Sequence, residues 1–185
     1  MIRDPSSTYV ALLHHPMRDR TGAIVTTALT TMDLHDIART CRTFDLAGYF
    51  VVHPIEYQRH MAERIIAHWG EDGRHDSRRQ ALERVTVVDT LLAAEALVRE
   101  RTGRRATLVA TSAKRAENAI NTNDFHAIEG PKLLLFGTGF GMSEELLASC
   151  DRILLPLQGQ GDYNHLSVRS ACAIVLDRLY GDRKD

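Results

Sequence analysis

Pro131-Lys-Leu-Leu-Leu-Phe-Gly-Thr-Gly-Phe-Gly-Met-Ser-Glu-Glu-Leu-Leu-Ala-Ser-Cys150 runs into Asp151-Arg-Ile-Leu-Leu-Pro-Leu157. After a Gly/Gln loop comes His165-Leu-Ser-Val-Arg-Ser-Ala-Cys-Ala-Ile-Val-Leu-Asp-Arg-Leu179. The apolar run Leu133–Phe136 breaks at Gly137, which predicts a buried strand ending in a glycine turn. Ser143 is placed to cap a short helix with Glu144 and Glu145 in its first turn. Ile153–Leu157 predicts a second buried strand. Val168, Ala171, Cys172, Val175, Leu176 and Leu179 then share one face of a closing helix. Both strands end in loops that carry no apolar core, Gly137–Gly141 and Gln158–Asn164. Glycine lets backbone groups approach a ligand with no Cβ in the way. Two such loops at the carboxyl edge of a parallel sheet form a pocket where α/β folds hold ligands.

The preceding chain alternates strand and helix patterns. Thr8–Leu13 predicts a strand stopped at His14-His15-Pro16, while Met17–Thr31 fits either a strand or an ordered loop. A helix capped by Asp33 or Asp36 is expected to run to about Leu46, with Ile37, Cys41 and Phe44 inward. Tyr49–Val52 predicts a strand ended by His53-Pro54. An amphipathic helix follows at Ile55–Trp69, then a polar turn at Glu71–Asp76 and a charged helix at Ser77–Arg84. Val85–Val88 and Ala106–Ala110 predict strands, separated by a helix at Thr90–Thr102 that Gly103 closes. A further helix is expected at Lys114–Asn121. The alternation implies one α/β domain over residues 1–185, a parallel sheet with helices on both faces.

The 185 residues suffice for a proper core. Hydrophobic content of 44% and charged content of 25% are those of a soluble globular protein. No apolar stretch reaches the length of a membrane span, and no secretion-signal pattern follows Met-Ile-Arg-Asp-Pro. Cys41, Cys150 and Cys172 have no framework spacing, which favours reduced thiols and a cytoplasmic location. A net charge of −1 leaves nucleic-acid binding to local basic clusters.

Gly137-Thr-Gly139-Phe-Gly141 departs from a dinucleotide fingerprint, because the third glycine of G-x-G-x-x-G would fall at Met142. It also comes late in the chain, and Glu144 and Glu145 at the helix start would repel a pyrophosphate. None of the nine histidines falls in H-E-x-x-H spacing, and no Cys-x-x-Cys pair is present. Adjacent His14 and His15 on a strand point to opposite faces. No metal site is expected.

Leu134-Leu135-Phe136-Gly137, Cys150-Asp151, Leu155-Pro156-Leu157 and His165-Leu166-Ser167-Val168-Arg169 together resemble the successive motifs of the SPOUT methyltransferases. That family ties a C-terminal trefoil knot around S-adenosylmethionine. Ser167 stands where the commoner branch has Asn, and Gly139 where it often has Glu. These departures place the chain nearer the RNA methyltransferases sometimes joined to tRNA guanine-N1 methyltransferases. Asp36-Ile37-Ala38-Arg39-Thr40-Cys41-Arg42-Thr43-Phe44 is similar to an Arg-containing stretch near the start of SPOUT ribose methyltransferases, where the arginine contacts RNA or assists the reaction.

The resemblance implies methylation of an RNA nucleoside, in tRNA or rRNA, with S-adenosylmethionine as cofactor. Its pocket would be lined by Thr111, Phe136, Gly137, Gly139, Leu155, Leu157, Leu166 and Ser167. Arg39 takes the position of the family arginine. His165, beside the pocket, is placed either to cap the last helix or to orient substrate, and Asp124, on a polar segment before Pro131, is a candidate for taking a proton. A catalytically silent module that binds RNA or nucleotide is the rival reading of the same fold. Apolar Ala173 and Ile174 lie off the main face of the last helix, which predicts a homodimer with two-fold symmetry across that helix.

Overall fold

The computed structural model describes residues 4–71 and 77–182. In chain order the elements are β1 (Thr8–Leu13), β2 (Met17–Arg18), β3 (Ile24–Val25), α1 (Thr31–Thr43), β4 (Gly48–Val52), α2 (Glu56–Glu71) and α3 (Ser77–Leu82). They continue as β5 (Val85–Val88), α4 (Leu91–Thr102), β6 (Thr107–Ala110), α5 (Thr122–His126), β7 (Lys132–Gly137), α6 (Glu144–Ser149), β8 (Arg152–Ile153) and α7 (Val168–Tyr180). Six strands form one sheet in the order β5-β4-β1-β7-β6-β8, every neighbouring pair parallel. The remaining two, β2 and β3, form a small antiparallel ribbon.

Strand alternation splits the core between two faces. Val10, Leu12, Tyr49, Val51, Leu134 and Phe136 pack with buried residues of α1, α3, α5 and α7. On the other face, Ala11, Leu13, Phe50, Leu133 and Leu135 pack with Ala94 and Val98 of α4 and with Leu146 and Leu147 of α6. The central strands β1 and β4 are buried along their whole length, as a parallel sheet covered on both sides requires. Gly103 closes α4 with a φ of 71°, the left-handed conformation glycine adopts without strain.

Five expectations are corrected. The cap of α1 is Thr30, whose hydroxyl accepts from Asp33 N–H and donates to the Asp33 carboxylate at 2.7 Å. The helix stops at Thr43, with Asp45 two residues on at a positive φ of 53°. Helix α3 ends at Leu82, short of Arg84. No helix forms over 114–121. Instead the Ile120 N–H donates to Ile153 O and the Leu155 N–H donates to Ile120 O, each at 2.8 Å. Those bonds pin Ile120 beside β8 after a turn closed by Ala119 N–H to Ala116 O, and the Asn121 side chain caps α5. Finally, the strand expected at Ile153–Leu157 contracts to Arg152–Ile153 plus a bridge at Leu154, leaving Leu155 37% exposed. The polar turn expected at 71–76 falls, from residue 72 on, outside the described residues.

The fold predicts a sharp contrast between two leucines. Leu12→Ala, in a fully buried strand, should cost about 3 kcal/mol in urea unfolding. Leu92→Ala, at a residue 75% exposed, should stay within about 0.5 kcal/mol of wild type.

Candidate cofactor and substrate site

The sheet's carboxyl edge carries three long loops, after β6, β7 and β8. The loop after β7 is gripped by the β2–β3 region. Arg18 N–H donates to Gly141 O at 2.8 Å, Phe140 N–H to Arg18 O at 3.2 Å, and Ser143 N–H to Pro16 O at 3.0 Å. The grip leaves no room for a side chain at Gly137, where an added methyl would lie 2.7 Å from Met142 Cγ and 3.1 Å from Met17 Sδ. Gly139 has a φ of 60°, and a methyl there would meet Thr27 Cγ2 at 3.1 Å. These glycines are therefore demanded by packing within the chain, a reason beyond the ligand access expected from sequence.

Beneath this loop lies a polar cluster built on two strand ends. His14 and His53 terminate the adjacent strands β1 and β4, both fully buried, with ring centroids 4.9 Å apart. Thr138 donates to Leu13 O at 3.0 Å, so its oxygen accepts from the Thr27 hydroxyl it touches. Thr27 Oγ1 in turn accepts from His14 Nδ1–H at 3.1 Å. The chain of donors places the proton of His14 on Nδ1 and leaves Nε2 bare, buried and without a partner among the described residues. His53 Nδ1 accepts from Ile55 N–H, and Nε2 donates to Thr27 O at 3.0 Å. Burial pushes His14 down to about 4, with the neighbouring His53 acting in the same direction. Burial pushes His53 down as well. The pair is neutral and structural, joining β1, β4 and the glycine loop. Sequence reading noted the two His-Pro stops without linking them, although paired stops on adjacent strands were the available signal.

The other two loops are laced together. Thr111, after β6, donates both its N–H and its hydroxyl to Leu135 O, at 3.0 and 2.8 Å. Asn164 donates its side-chain amide to Ala113 O at 3.1 Å. Large apolar side chains stand open on this edge: Phe140 at 66% exposure, Tyr163 at 77%, Leu166 at 48% and Leu155 at 37%. Apolar loop residues left exposed around backbone-rich turns mark a binding surface. These exposed apolar side chains suit an adenosyl group carrying a sulfonium, which needs no phosphate-binding cations. Glu144, at the start of α6, is occupied by Arg18 at 3.1 Å.

Thr111, Gly139, Leu155, Leu157, Leu166 and Ser167 fall on these carboxyl-edge loops, and Gly137 is the last residue of β7. Ser167 caps α7 by accepting from Ser170 N–H. The Phe136 side chain points into the core and is 1% exposed, so only its backbone faces the edge. His165 is exposed, its ring edge-on to Tyr163 at 5.3 Å. Asp124 is not brought to this edge. Its carboxylate accepts from Asn121 N–H in a capping box, and it lines a hollow with Thr107 and Arg152, the first residues of β6 and β8. Arg39 projects from α1 into solvent without an ion pair among the described residues. One turn earlier, Asp36 is held with Asp33 by Arg169 of α7, at 3.6 and 3.2 Å. That bridge, absent from the sequence reading, ties α1 to the start of the last helix. Cys150 donates to Leu146 O and burial pushes its thiol up to about 11, so it is no nucleophile.

Comparison with known proteins places this architecture. The profile of a family described as SAM-dependent RNA methyltransferase matches residues 7–181. A protein of Aquifex aeolicus with no assigned activity is 40% identical over 181 residues, covering 94% of this chain and 88% of its own. A tRNA (guanine-N(1)-)-methyltransferase of Nitratidesulfovibrio vulgaris is 42% identical over 184 residues, 97% of this chain. The chain spans only 43% of that relative's length. Among solved structures, the SpoU methyltransferase AviRb from Streptomyces viridochromogenes, in complex with AdoMet, superposes with a TM-score of 0.57 at 16% identity. The likeness covers 97% of this chain and 58% of that one, and at that identity it is a likeness of fold.

The buried histidines give a pH signature. His14 refuses a proton until about pH 4, whereas its ordinary value is 6.5. The unfolded chain thus binds the proton first, and stability is full above pH 6.5 and declines as pH falls toward 4. His14→Asn, whose amide can still donate to Thr27, should flatten that decline in urea titrations at stepped pH. An unchanged slope would place the titration elsewhere.

Proposed function

Because the chain belongs to the family of SAM-dependent RNA methyltransferases, we propose that its three carboxyl-edge loops hold the cofactor and that Arg39 presents RNA to it. The cofactor is S-adenosylmethionine and the reaction is methylation of RNA. The observation that carries the residue assignment is the lacing of the loops after β6 and β8 beside exposed Leu155 and Leu166, at the same sheet edge as the fastened loop after β7. Backbone of Phe136, Gly137, Gly139, Leu155 and Leu157, with the side chains of Thr111 and Leu166, would line the adenosine. Ser167 fixes the last helix beside it.

The route of the chain supports a C-terminal trefoil knot. After β7 the chain passes β6 to add β8 at the sheet edge. It then runs back against the 111–121 loop before α7 packs on α1 and β7. The reading treats residues 1–185 as one α/β-knot domain. Ile174, 37% exposed on α7, and the open Leu166 support a two-fold homodimer through that helix. Free thiols at Cys41, Cys150 and Cys172 suit a reducing cytoplasm. No helix among the described residues is long and apolar enough to cross a membrane.

The cofactor supplies an electrophilic methyl group on a positively charged sulfur. The protein's share is mostly geometry, since in-line displacement rewards alignment of acceptor and methyl carbon. Arg39 can hold an RNA phosphate with two parallel N–H bonds. His165 is the one imidazole on the three loops, and an imidazole nitrogen can act as a general base. It accepts the proton of the target atom as the new bond forms. The target is a nucleoside of tRNA or rRNA.

Methyl transfer from labelled S-adenosylmethionine to total RNA, taken from a strain lacking this protein, tests the reading. Wild type should label one RNA class. Arg39→Lys should lower single-turnover transfer about tenfold or more, with cofactor affinity and melting temperature unchanged. Full transfer by both Arg39→Lys and Arg39→Ala would remove Arg39 from the site.

A further inference from the structure

Helices α1 and α2 enclose a second hollow, outside the loops described above. It measures about 650 Å³ and is lined by Tyr57, Met61, Arg64, Trp69, His35 and His68, among others. Trp69 forms its half-buried back wall. The rings of His35 and His68 meet it edge-on at 5.9 and 5.8 Å, and the Arg78 guanidinium lies 4.8 Å from its centroid. Tyr57 stands at the mouth, 76% exposed.

Among the described residues, the charges around this hollow are unequal. Arg64 and Arg39 are exposed and carry no ion pair among the described residues. Arg39 lies one turn beyond His35 on α1, close enough, with Arg78, to press the imidazole toward its neutral form, although burial is the larger cause. Of the nearby carboxylates, Glu56 sits 3.7 Å from His60 and Asp36 is held by Arg169. Glu63 is exposed on α2 beside Arg64. Flat rings, a neutral imidazole and open guanidinium groups form the combination that stacks an unpaired base and holds its phosphate. A hollow of this size has room for one nucleotide.

We propose that the α1–α2 groove binds an unpaired nucleotide of the RNA substrate, its base stacked with Tyr57 and Trp69 and its backbone met by Arg64 and Arg39. This rests on the RNA-methylation reading and extends it from the cofactor edge to a substrate-holding surface. Arg39 belongs to both, because it lies one turn from His35 of the groove lining, near enough to act on its charge, and on the helix that Arg169 ties to α7. RNA held here is anchored apart from the nucleotide being methylated, which fixes the register of the strand across the active edge.

Trp69 is the only tryptophan in the chain, so fluorescence excited selectively at tryptophan reports on this groove. Titration of the full chain with short oligo(A), oligo(U) and bulk RNA should quench it saturably. Tyr57→Ala and Arg64→Ala, both at exposed positions, should each weaken RNA binding about tenfold. The KM for RNA should rise while S-adenosylmethionine affinity and melting temperature stay at wild-type values. If RNA is bound and methylated but Trp69 is silent and both variants behave as wild type, the groove is not an RNA site and the methylation reading stands. If the variants instead change the oligomeric state, the groove is a subunit interface and the proposal fails. If wild type neither binds nor methylates any RNA, the reading falls and the inference falls with it.

Discussion

Everything at the active edge depends on how closely the end of β7 is held against the start of the chain. Gly137 admits no side chain because Met17 and Met142 close on it. One residue later, Thr138 enters the hydrogen-bond chain that runs through Thr27 to the buried His14. The loop that follows can present backbone to a ligand only because its underside is fastened in this way. A loose glycine loop would lose ordering entropy on binding. A fastened one has lost it already during folding.

The same fastening explains why the chain tolerates two buried histidines. Each stands just past the end of a parallel strand, its N–H donating to the neighbouring strand (His14 to Val52 O, His53 to Val88 O), and burial keeps both neutral. Neutral imidazole is the cheaper species in a dry site, and its two nitrogens can join strand ends that point at different neighbours. Arg169 provides a similar tie on the other face, bridging the start of α7 to Asp33 and Asp36. Thus α1, with Arg39, is positioned relative to the loops by charge as well as by core packing.

Much of the fold was legible because its signals are local. Leu133–Phe136 followed by glycine, the Ser143 cap and the Gly103 stop are each decided within a few residues. The central parallel sheet followed from their alternation. What escaped reading was decided by partners distant in the chain. The 114–121 segment has helical composition, but its Ile120 backbone is claimed by Ile153 and Leu155. The ribbon at Met17–Val25 exists because Met17 bridges Met142. Of the candidate site, the glycine and leucine loops were visible as motifs. Asp124 read as a candidate base because sequence does not reveal that its carboxylate closes a helix cap. The α1–α2 groove is invisible in sequence, since it arises only where two amphipathic helices part.

Backbone amide shifts during titration with S-adenosylmethionine bear most directly on the central account. It predicts saturable changes at Gly137, Thr138, Gly139, Leu155, Leu157 and Leu166, spreading through Thr27 to His14, with α2 unmoved. Changes confined to α1 and α2, or to the amino edge around Asp124 and Arg152, would contradict it.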